Sequence, residues 1–308
     1  MSKNLTLSVS PHIHSGRSTR RIMLDVILAL LPTAVAGCII FGLRALLVMA
    51  VTVASAVAFE ALFNVIVKKK QTIGDLSAIV TGLLLALNLP ANIPLWQCVI
   101  GALFAIVVVK CLFGGIGCNL VNPAITARVF MLVAFGSMAK AAFPQGVDAV
   151  AGATPLTSEE ATSLIDLLLG KHGGAIGETC AIALLIGFVY LLVRRVISWH
   201  LPVVFMGAVF AASFLLGGMN ATAALAAVLS GGVLIGAIFM ATDYVTSPST
   251  AWGKVIFGVG AGVLTVLIRF YSIYPEGVSF AILLMNILTP FIDSWTKHKV
   301  FGTGGKKA

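Results

Sequence analysis

The chain has 308 residues, 59% of them hydrophobic, and a mean hydropathy of +1.06. Only 10% are charged, far below the roughly 25% of an average soluble domain, so the composition is that of a membrane protein. The net charge of +9 is dispersed between apolar runs, as a topology signal is, and points away from a nucleic-acid surface.

In chain order, residues 1–21 read as a polar arm. It carries Ser10-Pro11-His12-Ile13-His14 and then Arg17, Arg20 and Arg21. The two histidines lack a third ligand nearby, so no metal site is expected. The first apolar span serves as the targeting signal. Ten spans follow, at 22–43, 45–67, 75–89, 94–113, 124–138, 178–192, 201–216, 221–240, 254–270 and 277–292. Several approach the ~20 apolar residues that a helix needs to cross the hydrocarbon core. Period-two alternation over ~10-residue segments, the mark of a membrane β-barrel, does not occur. The expected fold is therefore all-α and polytopic.

Two polar breaks interrupt the spans. The first runs from Gly114 through Asn119-Leu120-Val121-Asn122-Pro123, and the second from Ala241 through Thr242-Asp243-Tyr244-Val245-Thr246-Ser247-Pro248 to Thr250. Gly-rich runs at Gly82 and Gly231-Gly232 echo one another. Five spans per half in inverted topology would give this pattern, and paired breaks of this kind point to a site near the midplane. Backbone freed at such a depth survives only where protein or water satisfies it. The expected organisation is a cytoplasmic arm (1–21), a first transmembrane repeat (22–139), an outer loop (140–177), a second repeat (178–292) and a cytoplasmic basic tail (293–308).

Ten spans put both termini on one side. With the termini in the cytoplasm, the inner segments hold fifteen basic residues: Lys3, Arg17, Arg20, Arg21, Lys68, Lys69, Lys70, Lys110, Arg194, Arg195, Lys254, Lys297, Lys299, Lys306 and Lys307. The outer ones hold four: Arg44, Lys140, Lys171 and Arg269. This is the positive-inside bias. It places the 140–177 loop outside the cytoplasm of a multi-pass cell-membrane protein.

That loop contains Asp148-Ala149-Val150-Ala151-Gly152-Ala153-Thr154. It resembles the flavin-attachment signature Asp-x-x-(Ser/Thr)-Gly-Ala-Thr of bacterial respiratory flavoproteins, with Ala151 where Ser or Thr is usual. The small, flexible flanks Gly152 and Ala153 would let a hydroxyl enter a foreign active site. Together with Ser10–His14, Gly114–Ala124 and Phe239–Pro248, the motif is similar to the D subunit of the Rnf electron transport complex. That subunit is related to the B subunit of the sodium-pumping NADH:quinone oxidoreductase.

The resemblance implies a urea-transporter-like fold and an FMN joined by a phosphoester to Thr154. A flavin transferase would install it. It also implies the A, B, C, E and G subunits of the Rnf complex as partners, electron flow between ferredoxin and NAD, and translocation of Na⁺ or H⁺ across the lipid membrane. No catalytic residue of the chain's own is expected, because the activity belongs to the assembled translocase. A noncovalent riboflavin is implied near Asn119 and Asn122. These amides share one face if the stretch is helical and suit an isoalloxazine edge; alternatively they satisfy the broken backbone.

For the ion path, buried charge is the guide. Asp243, with Thr242 and Thr246, gathers oxygens of the kind hard cations require, or else caps the next segment. Asp25, Glu60 and Asp75 are expected to be solvated at an interface or to pair with Arg128 or Lys68–Lys70. Tyr244, Trp252, Tyr271 and Tyr274 read as an interfacial belt. The alternative reading is a passive channel or secondary transporter of a small solute.

Overall fold

The computed structural model describes residues 18–139, 142–143, 163–272 and 277–297. Asp148, Gly152, Ala153, Thr154 and Tyr274 lie outside the described residues. What is described is helical: the one β-pairing there is an isolated bridge between Ala142 and Gly174. The helices are α1 (Thr19–Phe41), α2 (Leu43–Ile66), α3 (Ser77–Leu87), α4 (Leu95–Cys111), α5 (Pro123–Ala134), α6 (Leu164–Leu169), α7 (Ala181–Val193), α8 (His200–Leu216), α9 (Ala221–Leu229), α10 (Val233–Met240), α11 (Ala251–Tyr271) and α12 (Val278–Thr296).

Helices α1, α2, α11 and α12 are each long and apolar enough to cross a membrane. Helices α9 and α10 pass that test only as a pair, bent by 62°. Large apolar side chains such as Ile39, Leu43, Ile66 and Val193 are well exposed on the outer helix faces. A surface of that kind is at home in lipid, not water.

Small residues set the helix contacts, as expected where lipid removes the usual hydrophobic drive. A Cβ on Gly262 would stand 2.5 Å from Ala208 Cβ of α8, and one on Gly187 of α7 would stand 2.3 Å from the Ala29 carbonyl of α1.

The span expected at 221–240 is not straight. Gly231 (φ 62°) and Gly232 (φ 74°) take left-handed conformations that glycine adopts freely, and these turn the chain between α9 and α10. Arg269 of α11 donates to the carbonyls of Ala227 (2.6 Å), Ser230 (3.0 Å) and Gly231 (3.1 Å) and so satisfies the exposed end of α9. At and just beyond the end of α3, the carbonyls of Leu87 and Leu89 accept from Gly177 N–H (2.7 Å) and Ile176 N–H (3.0 Å). Each freed carbonyl thus meets protein, as burial demands.

Candidate functional site

A cavity of about 390 Å³ opens where the two breaks meet. Its walls come from α1 (Ile22, Met23, Val26), α3 (Val80, Leu84), Lys110 of α4, the first break (Gly117, Asn119, Asn122) and the second (Thr242, Asp243, Tyr244). The volume lies in the range of small-molecule sites, and so does the pattern of apolar walls with a few convergent polar groups. Two of the helices that reach the cavity are wound as π-helix at that end, Phe104–Cys111 and Gly236–Met240. Such winding recurs at functional sites.

The first break is a run of turns and bends, so the shared helical face anticipated for Asn119 and Asn122 does not form. Asn122 instead caps α5: its Oδ1 accepts from Ala124 N–H (3.0 Å) and Ile125 N–H (3.4 Å). Its Nδ2 donates to the Met240 carbonyl at 3.2 Å and ties the first break to the end of α10. Asn119 is different. Its Oδ1 is buried without a hydrogen-bond partner, and the residue lines the cavity. A buried acceptor left unpaired is costly, and this atom has no donor among the described residues.

In the second break, Asp243 and Thr242 line the same cavity. The Thr242 hydroxyl is spent on the Ile238 carbonyl at 2.6 Å. Thr246 is buried and donates to Asp243 Oδ2 at 3.1 Å, so it orients the carboxylate from behind. Asn286 of α12 joins the two breaks. With its amide turned to suit both neighbours, it donates to Thr246 O (3.1 Å) and accepts from Asn122 N–H (3.2 Å). Among the described residues, no group of three or more His, Cys, Asp or Glu is placed to hold a metal ion.

The acidic residues do not pair as expected. Glu60 meets neither Arg128 nor the lysine run; its Oε2 accepts from Lys110 Nζ at 2.6 Å, with both side chains almost fully buried. Lys110 also donates to Ser77 Oγ at 2.6 Å. Ser77 in turn is held by Asp75, which accepts from the Ser77 N–H at 2.8 Å. Lys110 therefore belongs to the interior and says nothing of topology. Asp25 accepts from Tyr190 (3.0 Å) and pairs with Arg194 (3.2 Å).

Arg128 forms a second buried node. It donates to Asn88 Oδ1 and, at 2.7 Å, to Glu178 Oε1. Glu178 belongs to the turn ahead of α7, not to the span expected to begin there. Gly232 lies against it, since a Cβ there would fall 2.6 Å from Glu178 Oε1. The end of α3, the turn before α7 and the α9–α10 bend thus converge on one guanidinium. Nearby in sequence, His172 is buried with Nδ1 unpartnered. Burial pushes its pKa down, against a hydrogen bond to the Asp166 backbone and the charges of Glu178 and Asp166.

Sequence reasoning singled out Asn119, Asn122, Thr242 and Asp243, and the fold brings them to one cavity. It missed Lys110, whose signal was a single lysine inside an otherwise apolar run from Cys98 to Phe113.

Comparison with known proteins gives a consistent family. The family model described as NQR2, RnfD, RnfE matches residues 6–302. The D subunit of the Na⁺-translocating ferredoxin:NAD⁺ oxidoreductase complex of Acetobacterium woodii is 46% identical over 308 residues, covering 97% of this chain and 96% of the relative. The D subunit of the proton-translocating ferredoxin:NAD⁺ oxidoreductase complex of Clostridium ljungdahlii is 41% identical, covering 98% and 97%. The D subunit of the ion-translocating oxidoreductase complex of Stutzerimonas stutzeri is 36% identical, covering 94% of each.

Proposed function

The chain belongs to the NQR2, RnfD, RnfE family, and from that premise we propose that it is the membrane-embedded D subunit of an Rnf-type, redox-driven ion pump. It carries FMN on Thr154 and a noncovalent flavin in the cavity between the two breaks. It works with the other subunits of the complex, and a flavin transferase matures it. The ten spans form two inverted repeats of a urea-transporter-like fold, with both termini in the cytoplasm and the Thr154 loop outside. The translocated ion is Na⁺ or H⁺, and relatives of both descriptions match the chain nearly end to end.

The observation that carries the reading is the cavity itself. Asn119 and Asp243 lie more than a hundred residues apart, yet they line one space of ligand size, and the Oδ1 of Asn119 is buried without a partner. A flavin's imide N–H is the donor that Asn119 Oδ1 lacks. Bound there, a flavin supplies one- and two-electron redox chemistry. The chain's own share is to hold and orient it, exclude water with Val80, Leu84 and Phe239, and offer Asp243 to a passing cation.

The test of the covalent flavin is Thr154→Ala, in cells that also make the transferase. Loss of in-gel flavin fluorescence from a chain still present in the membrane is the expected result. Fluorescence that persists in the variant would refute the attachment site. The intact mass of the native chain separates this reading from a passive channel, which needs no added FMN.

A further inference from the structure

The cavity's charge is one-sided. Lys110 lines it, whereas its partner Glu60, bonded to it at 2.6 Å, does not. Lys110 is the one basic side chain lining the cavity among the described residues, and Asp243 the one acid. A lysine ammonium has three N–H donors. Two are taken, by Glu60 Oε2 and Ser77 Oγ, each at 2.6 Å, and Ser77 lines the cavity beside Lys110. Glu60 is itself held in place, because Thr72 donates to its Oε1 and Asn64 donates to Thr72 at 3.0 Å. The pair is therefore a fixed dipole with its positive end at the cavity wall. In an interior of low dielectric such a dipole acts strongly on a neighbouring charge.

We propose that the buried Lys110–Glu60 pair sets the redox poise of the cavity's ligand, the Lys110 ammonium touching the ligand and favouring its electron-rich form. This rests on the flavin reading of the cavity. The site would thus have an acceptor in Asn119 Oδ1 for the ligand's N–H and a cationic donor in Lys110 for the oxygen or nitrogen that gains electron density on reduction. The class of ligand selected is a planar heteroaromatic imide whose reduction adds negative charge. A neutral quinone head, lacking the N–H, would leave Asn119 unpaired.

The pair predicts shifts of opposite sign. Glu60→Gln leaves the ammonium uncompensated and should raise the preference for reduced over oxidised ligand. Lys110→Met/Glu60→Gln removes the positive end without stranding a carboxylate, and should lower it. Each change is expected to be about tenfold, equivalent to about 30 mV in a two-electron couple. Lys110→Arg should stay within about twofold of wild type, since the charge is kept.

The experiment is equilibrium dialysis of riboflavin against the purified whole complex, once in air and once under dithionite. The ratio of the two dissociation constants is the readout. The covalent flavin does not dialyse and does not interfere, and gel filtration of the assembled complex checks folding. Shifts of opposite sign support the proposal. Shifts of the same sign, or none, overturn it and leave the flavin site standing. If the wild-type complex releases and rebinds no riboflavin, the flavin reading and this inference fall together.

Discussion

Arg128→Met tests the second buried node. The guanidinium lies 2.7 Å from Glu178 Oε1, and the two side chains are 4% and 3% exposed. Removing it strands a carboxylate out of reach of water and takes the donor from Asn88 Oδ1. Breaking one side of a buried pair costs about 3–5 kcal/mol, most of it the penalty of the stranded charge. The lost donor at Asn88 adds about 1–3 kcal/mol. Arg128→Met/Glu178→Gln removes that charge, so the double variant should be more stable than Arg128→Met alone by about 1–3 kcal/mol. The assay is unfolding of the purified chain in detergent micelles by added SDS, followed by far-UV circular dichroism. If the single and double variants unfold within about 0.5 kcal/mol of one another, the charge was never desolvated and the reasoning is wrong.

Three further outcomes follow from the same geometry. Gly232→Ala should destabilise the chain by about 1–3 kcal/mol for its left-handed backbone alone, and by more because the new Cβ meets Glu178; the SDS titration reads it. Asp243→Asn should raise the apparent Na⁺ or H⁺ requirement of turnover by about tenfold, a loss of about 1.4 kcal/mol of cation affinity. Unaltered ion dependence would remove Asp243 from the path. His172 has a depressed pKa, so the folded state favours the neutral ring. Its stabilisation is full above the ordinary value of 6.5 and is lost as pH falls through the lower folded value. Thermal midpoints measured from neutral to acidic pH should fall less steeply for His172→Gln than for wild type, and parallel curves would exclude His172 as the titrating group.

Helix positions were legible because apolar runs and their polar stops act locally. Pro123 at the first turn of α5 and the Asn122 cap are signals within three residues of one another. The bend between α9 and α10 was half legible. Gly231-Gly232 was visible in the sequence, but the run from 221 to 240 is apolar enough, with only Thr222 and Ser230 as polar residues, to read as one straight span. The buried pairs were not legible at all. Glu60 and Lys110 are 50 residues apart, and so are Arg128 and Glu178; nothing local distinguishes these partners from a nearer lysine or arginine. The paired breaks pointed to a site, but not to which of their residues share it, because only tertiary packing brings Asn119 to Asp243.

The bridge made by Asn286 bears on how the cavity can open. The two breaks are laced together by Asn122 to Met240, by Asn286 to Thr246 and by Asn286 to Asn122. Prising them apart would tear all three links at once. On the facing side, α1 contributes Ile22, Met23 and Val26, greasy surfaces that part in lipid with little loss. The α1 wall is fastened by other means: Asp25 ties it to Tyr190 and Arg194 at the end of α7, away from the seam between the breaks.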